Sequence, residues 1–307
     1  MVIRAYMIPI LFILVISGCQ QGVQQSNITL YTDKAEASPS KEIDPHQEKI
    51  TVALASVISP KASLSKYDYL LEYIESQIGK KVEIVQRQTY KEVDSMLRTG
   101  EVDFAFICSL SYVIGLEKGY IADVAAPVVN GRPFYQSYTI VNQNSTYETL
   151  EDLKGEKFAY TDPYSYTGRL SMLSQLNKEG ETSEGFFGET YFTYSHDYSV
   201  KAVELGIVDG ATVDGAMFDQ MLATEPELSA HIRVIGTGDE AGTPPVVASK
   251  KVDSKKVEAF SEILFNLENH PEGRQLLKEL GVDRYVPINQ QDYQVIRQDL
   301  YLLGEDL

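Results

Sequence analysis

The sequence predicts an α/β protein with two similar lobes and a ligand cleft between them. From Ile50 onward, short apolar runs alternate with amphipathic stretches of helical period, the pattern of a sheet with helices on both faces. That alternation occurs twice, in two sets separated by the extended run Tyr138-Thr139-Ile140-Val141. With 307 residues, 43% of them apolar, the chain is long enough for a large core divided between two lobes.

The elements follow in order. Ile50 to Ala55 reads as a strand, and Tyr67, Leu70, Leu71, Ile74 and Ile78 mark one helix face that Gly79 ends. Val82 to Val85 is a second strand. Val93, Met96 and Leu97 mark a second helix that stops at Gly100. Phe104 to Ile107 is a buried strand, followed by a short helix over 109–116. Tyr138 to Val141 is a candidate crossover, and Leu150 to Gly155 a short helical turn. The second set has strands at 157–161, 190–194 and 210–213 and helices at 168–177, 198–205 and 215–223. Ile232 to Ile235 and Pro245 to Ala248 read as return strands, and helices 254–268 and 271–280 close the chain. The expected division is 1–18 leader, 19–48 tether, 49–138 with 244–307 as lobe I, and 139–243 as lobe II.

The leader reads as a processing signal. Arg4 precedes an apolar run, Met7 to Ile16, that is short for a bilayer span. It ends in Ile16-Ser17-Gly18-Cys19, which resembles a bacterial lipobox, so Cys19 is the expected lipidation site. The alternative is an ordinary signal peptide with a chance cysteine. Residues 20–48 are polar and without hydrophobic period, as in a solvated tether. The expected location is therefore the cell envelope, lipid-anchored and facing the periplasm or exterior. Cys108, at the end of a buried strand, is left unpaired and reads as a small hydrophobe.

A formal net charge of −17 argues against a nucleic-acid partner. It leaves a small anion possible, because backbone N–H groups act locally while bulk charge is screened. The four histidines are too scattered for a zinc motif, and neither a metal nor a cofactor is expected. Twenty tyrosines and no tryptophan mildly disfavour sugar or quaternary-ammonium sites.

The stretch "YTDPYSYTGRL" joins a strand to a helix and sets Ser165, Tyr166, Thr167 and Gly168 at the helix start. Free N–H groups there carry the positive end of the helix dipole, hydroxyls add rotatable donors, and a glycine lets an anion approach the backbone. The plain alternative is an N-cap. Tyr112 follows a buried strand, so its phenol is either a donor at the sheet's C-terminal end or a core tyrosine. His196, in Tyr194-Ser195-His196-Asp197, can donate to an oxyanion or can be a surface histidine held by Asp197. Three adjacent residues cannot fold into a catalytic triad, and no nucleophile elbow is present, so hydrolase chemistry is rejected and no catalytic residue is assigned. Tyr67 opens the first helix and either lines the cleft or is half-buried. Asp214 ends the strand Gly210 to Val213, and Tyr135 and Ser137 are candidates for closing the cleft.

Four stretches in order, "YLLEYIESQIGKKVEIV", "LRTGEVDFAFICSLSYV", "LEDLKGEKFAYTDPYSYTG" and "YSHDYSVKAVELGIVDGATVD", resemble the phosphate/phosphite/phosphonate-binding proteins of ABC transporters. The resemblance covers about residues 50–285. It implies a type II periplasmic-binding-protein fold and a solute-binding lipoprotein, expected as a monomer, that hands a phosphorus oxyanion to an ABC permease and ATPase. In that family hydroxyls and amides at the second-lobe helix start, a first-lobe tyrosine and the histidine hold the head group. The resemblance therefore implies Ser165, Thr167, Gly168, Tyr112 and His196 as ligand contacts. Tyr166 stands where many relatives have a smaller residue. Asp214 falls where amine-bearing phosphonates are met by acids, but Ala216 is neutral where a second acid would support it. The rival expectations are another small ligand on the same fold and a ligand-sensing lipoprotein that partners a signalling receptor.

Overall fold

A computed structural model describes residues 49–304, except 56 and 58 and the side chains of 60–66. The leader, the tether and Cys19 lie outside the described residues. Among the described residues, no helix is long and apolar enough to cross a membrane.

The chain first builds β1 (Ile50–Leu54), α1 (Pro60–Ile78), β2 (Val82–Gln86), α2 (Tyr90–Thr99), β3 (Phe104–Phe106), α3 (Ser109–Glu117) and β4 (Ile121–Val128). Local chemistry sets these limits. Thr89 and Glu92 form a reciprocal capping box at the start of α2, and Gly79 and Gly100 end α1 and α2 at φ 71° and 72°, where a side chain would be strained.

The chain then crosses through β5 (Phe134–Tyr135) into β6 (Ser137–Asn142), β7 (Lys157–Tyr160), α4 (Ser171–Lys178), α5 (Ser183–Phe186), β8 (Glu189–Phe192), α6 (His196–Glu204), β9 (Gly210–Asp214), α7 (Gly215–Thr224) and β10 (Ile232–Thr237). It returns through β11 (Ala241–Gly242) to β12 (Val246–Ser249), α8 (Ser254–Asn266), α9 (Pro271–Leu280), β13 (Arg284–Val286) and α10 (Gln294–Leu303).

Two sheets result, ordered β13-β4-β12-β3-β1-β2 and β10-β6-β9-β7-β8. Each has a parallel core, β2-β1-β3 in one and β8-β7-β9 in the other, followed by one antiparallel strand next to β3 or β9. The antiparallel strand is the one that has just arrived from the other sheet: β6 on the way out, β12 on the way back.

Alternate residues of each strand face opposite layers. In the first sheet Val52, Phe104 and Val246 pack on the α1, α8 and α9 side, with the Phe104 and Phe260 rings stacked at 4.0 Å. Ala53, Ala105 and Val247 face α2, α3 and α10. In the second sheet Ala159, Ala211 and Val213 face α6 and α7, while Phe158 and Tyr160 face α4 and α5.

Three expectations need correction. Tyr138 to Val141 is not the crossover. It is the interior of β6, and the crossing is made by the short antiparallel ladder β5–β11. The chain does not close at residue 280, because β13 pairs with β4 and α10 follows. Before α4 comes a π-helical turn, Tyr166–Leu170, so that helical structure starts two residues earlier than its apolar pattern suggests.

Candidate functional site

The C-terminal ends of β1, β3, β7 and β9 carry the residues that meet between the two sheets. A cavity of about 160 Å³ lies there, and its walls include Ala55, Val57, Tyr67, Phe106 and Tyr135 from the first-sheet side and Asp214, Ala216 and Met217 from the second. Among the described residues, no lysine or arginine lines it. A larger surface groove of about 580 Å³, between α1 and α8, contains none of the predicted site residues.

His196 opens α6 and is buried. Its Nδ1 accepts the Asp214 N–H at 3.0 Å and lies 3.1 Å from the Thr161 hydroxyl. Burial pulls its pKa down to about 3, so the ring is neutral at ordinary pH. With Nδ1 accepting, the proton sits on Nε2, a donor without an acceptor among the described residues. The ring is thus a buried neutral hydrogen-bond donor, not a surface histidine.

The hydroxyl turn divides its work. Ser165 caps the π-turn, its Oγ accepting the Gly168 N–H at 2.9 Å. The Gly168 carbonyl accepts from Thr161 N–H, and a Cβ on Gly168 would come within 2.5 Å of the Thr161 Cβ. Gly168 is therefore a packing requirement, and its N–H is already used. The Tyr166 N–H donates to the Cys108 Sγ at 3.4 Å, and its phenol donates to the Asp239 carbonyl at 3.2 Å. Tyr166 is fully buried and points away from solvent. The Thr167 carbonyl accepts the Thr212 hydroxyl at 2.8 Å, and its own hydroxyl makes no side-chain hydrogen bond among the described residues. Of the four, Thr167 is the one whose side chain is not otherwise engaged.

From the first sheet, Tyr67 lines the cavity, and burial with the charge of Asp214 pushes its phenol up to about 12. Tyr112 does not reach the cavity. Its ring packs on Tyr293 at 4.5 Å between centroids, and its phenol donates to Asp123 at 2.9 Å. Asp214 caps α7 by accepting the Met217 N–H at 3.0 Å, and its carboxylate faces the tyrosines. Ser137 is tied to Ser171 at 2.8 Å.

Sequence reasoning missed Tyr90 and Ser195 and gave Tyr135 only a minor part. The phenols of Tyr90 and Tyr135 and the hydroxyl of Ser195 are buried with no hydrogen-bond partner among the described residues. Native interiors seldom leave such groups bare, so several together ask for an explanation. Burial pushes both phenols up; Tyr135 lines the cavity, and Tyr90 packs in the same buried cluster. The available signal for Tyr90 was the Thr89–Glu92 capping box, which sets it as the first residue of a helix at the C-terminal edge of the sheet.

The sequence profile described as "ABC transporter, phosphonate, periplasmic substrate-binding protein" matches residues 52–293. The chain belongs to this family. The phosphate-import protein PhnD of Mycolicibacterium smegmatis is 30% identical over 190 residues, 58% of this chain and 59% of that protein. The phosphonates-binding periplasmic protein of Escherichia coli is 25% identical over 244 residues, 76% of this chain and 71% of that one. Among solved structures, PhnD1 of Prochlorococcus marinus in complex with methylphosphonate superposes with TM-score 0.76 at 18% identity, covering 83% of this chain and 98% of that one. The binding component of a phosphonate ABC transporter from Pseudomonas aeruginosa gives 0.78 at 22%, covering 84% and 87%. The fold is thus the two-lobed fold of periplasmic binding proteins, and both sheets of this phosphonate-family chain fall within the matched span.

Proposed function

We propose that this chain is the solute-binding component of an ABC importer, lipid-anchored through Cys19, and that it captures a phosphorus oxyanion in the cavity between its sheets. The observation that carries this reading is a cavity between the sheets with no lysine or arginine among its described lining residues, walled by Tyr67, Tyr135 and Asp214, with the phenols of Tyr135 and Tyr90, packed in one cluster, and the Ser195 hydroxyl buried without partners among the described residues. An oxyanion with three acceptor oxygens satisfies several such donors at once, and charge-assisted hydrogen bonds are the strong ones. The apolar walls at Phe106, Pro127, Val129 and Met217 suit the carbon substituent of a small phosphonate.

Residues 49–138 with 244–307 and residues 139–243 act as the two closing lobes. Tyr67 and Tyr135 enter from the first, Thr167, His196 and Asp214 from the second. Ser165, Tyr166 and Gly168 shape the turn that presents Thr167. Permease and ATPase subunits are the partners, and the location is the cell envelope.

Calorimetry with phosphite, phosphate, methylphosphonate and 2-aminoethylphosphonate tests the ligand class. Saturable binding of at least one, lost on Thr167→Val, is the expected result, and no heat from any of the four overturns the reading. Replacing Cys19 with alanine should release the protein from the membrane fraction, and unchanged fractionation removes the lipid anchor from the proposal.

A further inference from the structure

We infer that Asp162 and Asp197 are positioning residues that latch the two lobes together by capping helices of the opposite lobe, and so set ligand affinity without touching the ligand. This rests on the binding reading above. Asp162 follows β7 and is fully buried. Its Oδ1 accepts the Tyr164 N–H at 2.7 Å within its own turn, and its Oδ2 accepts the N–H of Tyr90, the first residue of α2, at 3.2 Å from the other sheet's side. Asp197 follows His196, and its Oδ1 accepts the N–H of Ser59, the N-cap of α1, at 2.9 Å. Beside it the His196 N–H donates to the Val57 carbonyl at 3.0 Å.

Ser59 has no side-chain cap of its own for α1. A helix start leaves N–H groups without intrahelical partners, and a carboxylate there also meets the positive end of the dipole. Each second-lobe carboxylate therefore completes a first-lobe helix, and it can do so only when the lobes are together.

The placement couples latch to ligand. Asp162 begins the turn that presents Thr167, and Asp197 adjoins His196. Seating an anion on Thr167 and His196 fixes the same two segments that carry the latches. Asp162 also holds the backbone of Tyr90, whose unpartnered phenol is a ligand donor in this reading. A ligand shifts the open–closed balance only by its preference for the closed form. Weakening the latches therefore lowers apparent affinity by lowering the competent fraction.

The test uses Asp162→Ala, Asp197→Ala and the double variant in the soluble mature chain, with whichever oxyanion binds the wild type. Each single variant should raise Kd about ten- to hundredfold, as expected for loss of a hydrogen bond to a charged group, mainly through faster dissociation. Small-angle scattering should show a larger radius of gyration than wild type in the ligand-free and half-saturated samples. Ser59→Pro, which deletes the donor N–H on the other lobe, should reproduce the effect of Asp197→Ala and add little to it. Wild-type affinity in both single variants, or weaker binding with unchanged dimensions and unchanged dissociation rate, overturns the latch. If no oxyanion binds the wild type, the scattering comparison of ligand-free proteins still decides it: equal dimensions in wild type and double variant reject the latch by themselves.

Discussion

The two sheets share one strand order, yet they treat their polar side chains in opposite ways. On the second-sheet side most site groups are already engaged: Ser165 caps, Tyr166 reaches the Asp239 carbonyl, His196 accepts from Asp214 and Thr161 lies against His196, with Ser195 the exception. On the first-sheet side the phenols of Tyr90 and Tyr135 are buried without partners among the described residues, and the Asp94 carboxylate is buried with only the nearby Ser111 hydroxyl to offset it. The second half is built as a finished cradle. The first half carries unmet polar groups, which cost stability until something supplies acceptors. The difference shows that pre-formed hydrogen bonding is concentrated in one half and unmet polar groups in the other.

Acid titration separates the halves most strongly. His196 has its pKa lowered to about 3 from an ordinary 6.5. Between those values the unfolded chain holds a proton that the folded one does not, so this contribution is complete above 6.5 and is lost as pH falls, at ~1.4 kcal/mol per pH unit. Asp94 is the reverse. Burial, only partly offset by the nearby Ser111 hydroxyl, pushes it up to about 7 from 3.8. Over that window the folded state holds the extra proton, and stability rises as pH falls. The two slopes oppose each other between about pH 4 and 6.5. Asp94→Asn should therefore expose the histidine: urea unfolding at pH 7 and pH 5 should show the variant losing about 2–3 kcal/mol relative to wild type over that interval. His196→Gln should shift the balance the other way. Parallel pH profiles for all three proteins would contradict the opposition.

Gly168→Ala comes next. The added Cβ meets Thr161 at 2.5 Å and the Ser165 Oγ at 2.8 Å, so the finished cradle has no room to give. Overpacking of this kind should cost about 1–3 kcal/mol of stability. If the glycine served only to admit an anion, stability would hold and affinity alone would fall.

The bare phenols predict the opposite sign. Tyr90→Phe and Tyr135→Phe each remove a buried hydroxyl that has no partner, so the ligand-free protein should gain about 1 kcal/mol while oxyanion binding weakens. Ser165→Ala, on the finished side, should lose about 1 kcal/mol as a broken cap does. Thermal melts with and without ligand read both effects together. A destabilised Tyr90→Phe would mean that its hydroxyl is satisfied in the ligand-free state.

Much of the fold was legible in the sequence because strand and helix periods, capping boxes and left-handed glycines act locally. The antiparallel nature of β6 and β12 and the β5–β11 ladder were not, since they depend on partners about a hundred residues away in sequence. The same divide holds at the site. The Thr167 turn and His196 sit in short stretches whose hydroxyls and imidazole announce themselves. Tyr90 is a tyrosine at the start of an amphipathic helix, where the Thr89–Glu92 capping box fixes its place but nothing local tells a ligand role from core. Tyr112 fits the local pattern of a ligand tyrosine better than Tyr90 does, yet Asp123, eleven residues on in β4, takes its hydroxyl.

Tyr112 thus supplies the smallest and most diagnostic test of the comparison. It belongs to the first half but is finished like the second, with its phenol on Asp123 and its ring on Tyr293. Tyr112→Phe should lower stability by about 1 kcal/mol, the opposite of Tyr90→Phe, because a satisfied hydrogen bond is lost and the Asp123 carboxylate keeps only Gln290. Oxyanion affinity should be unchanged, since the phenol is already held by Asp123. Paired calorimetry and melts on the two variants set the two tyrosines against each other directly. Loss of binding in Tyr112→Phe with full binding in Tyr90→Phe would return the ligand role to the residue that the sequence favoured.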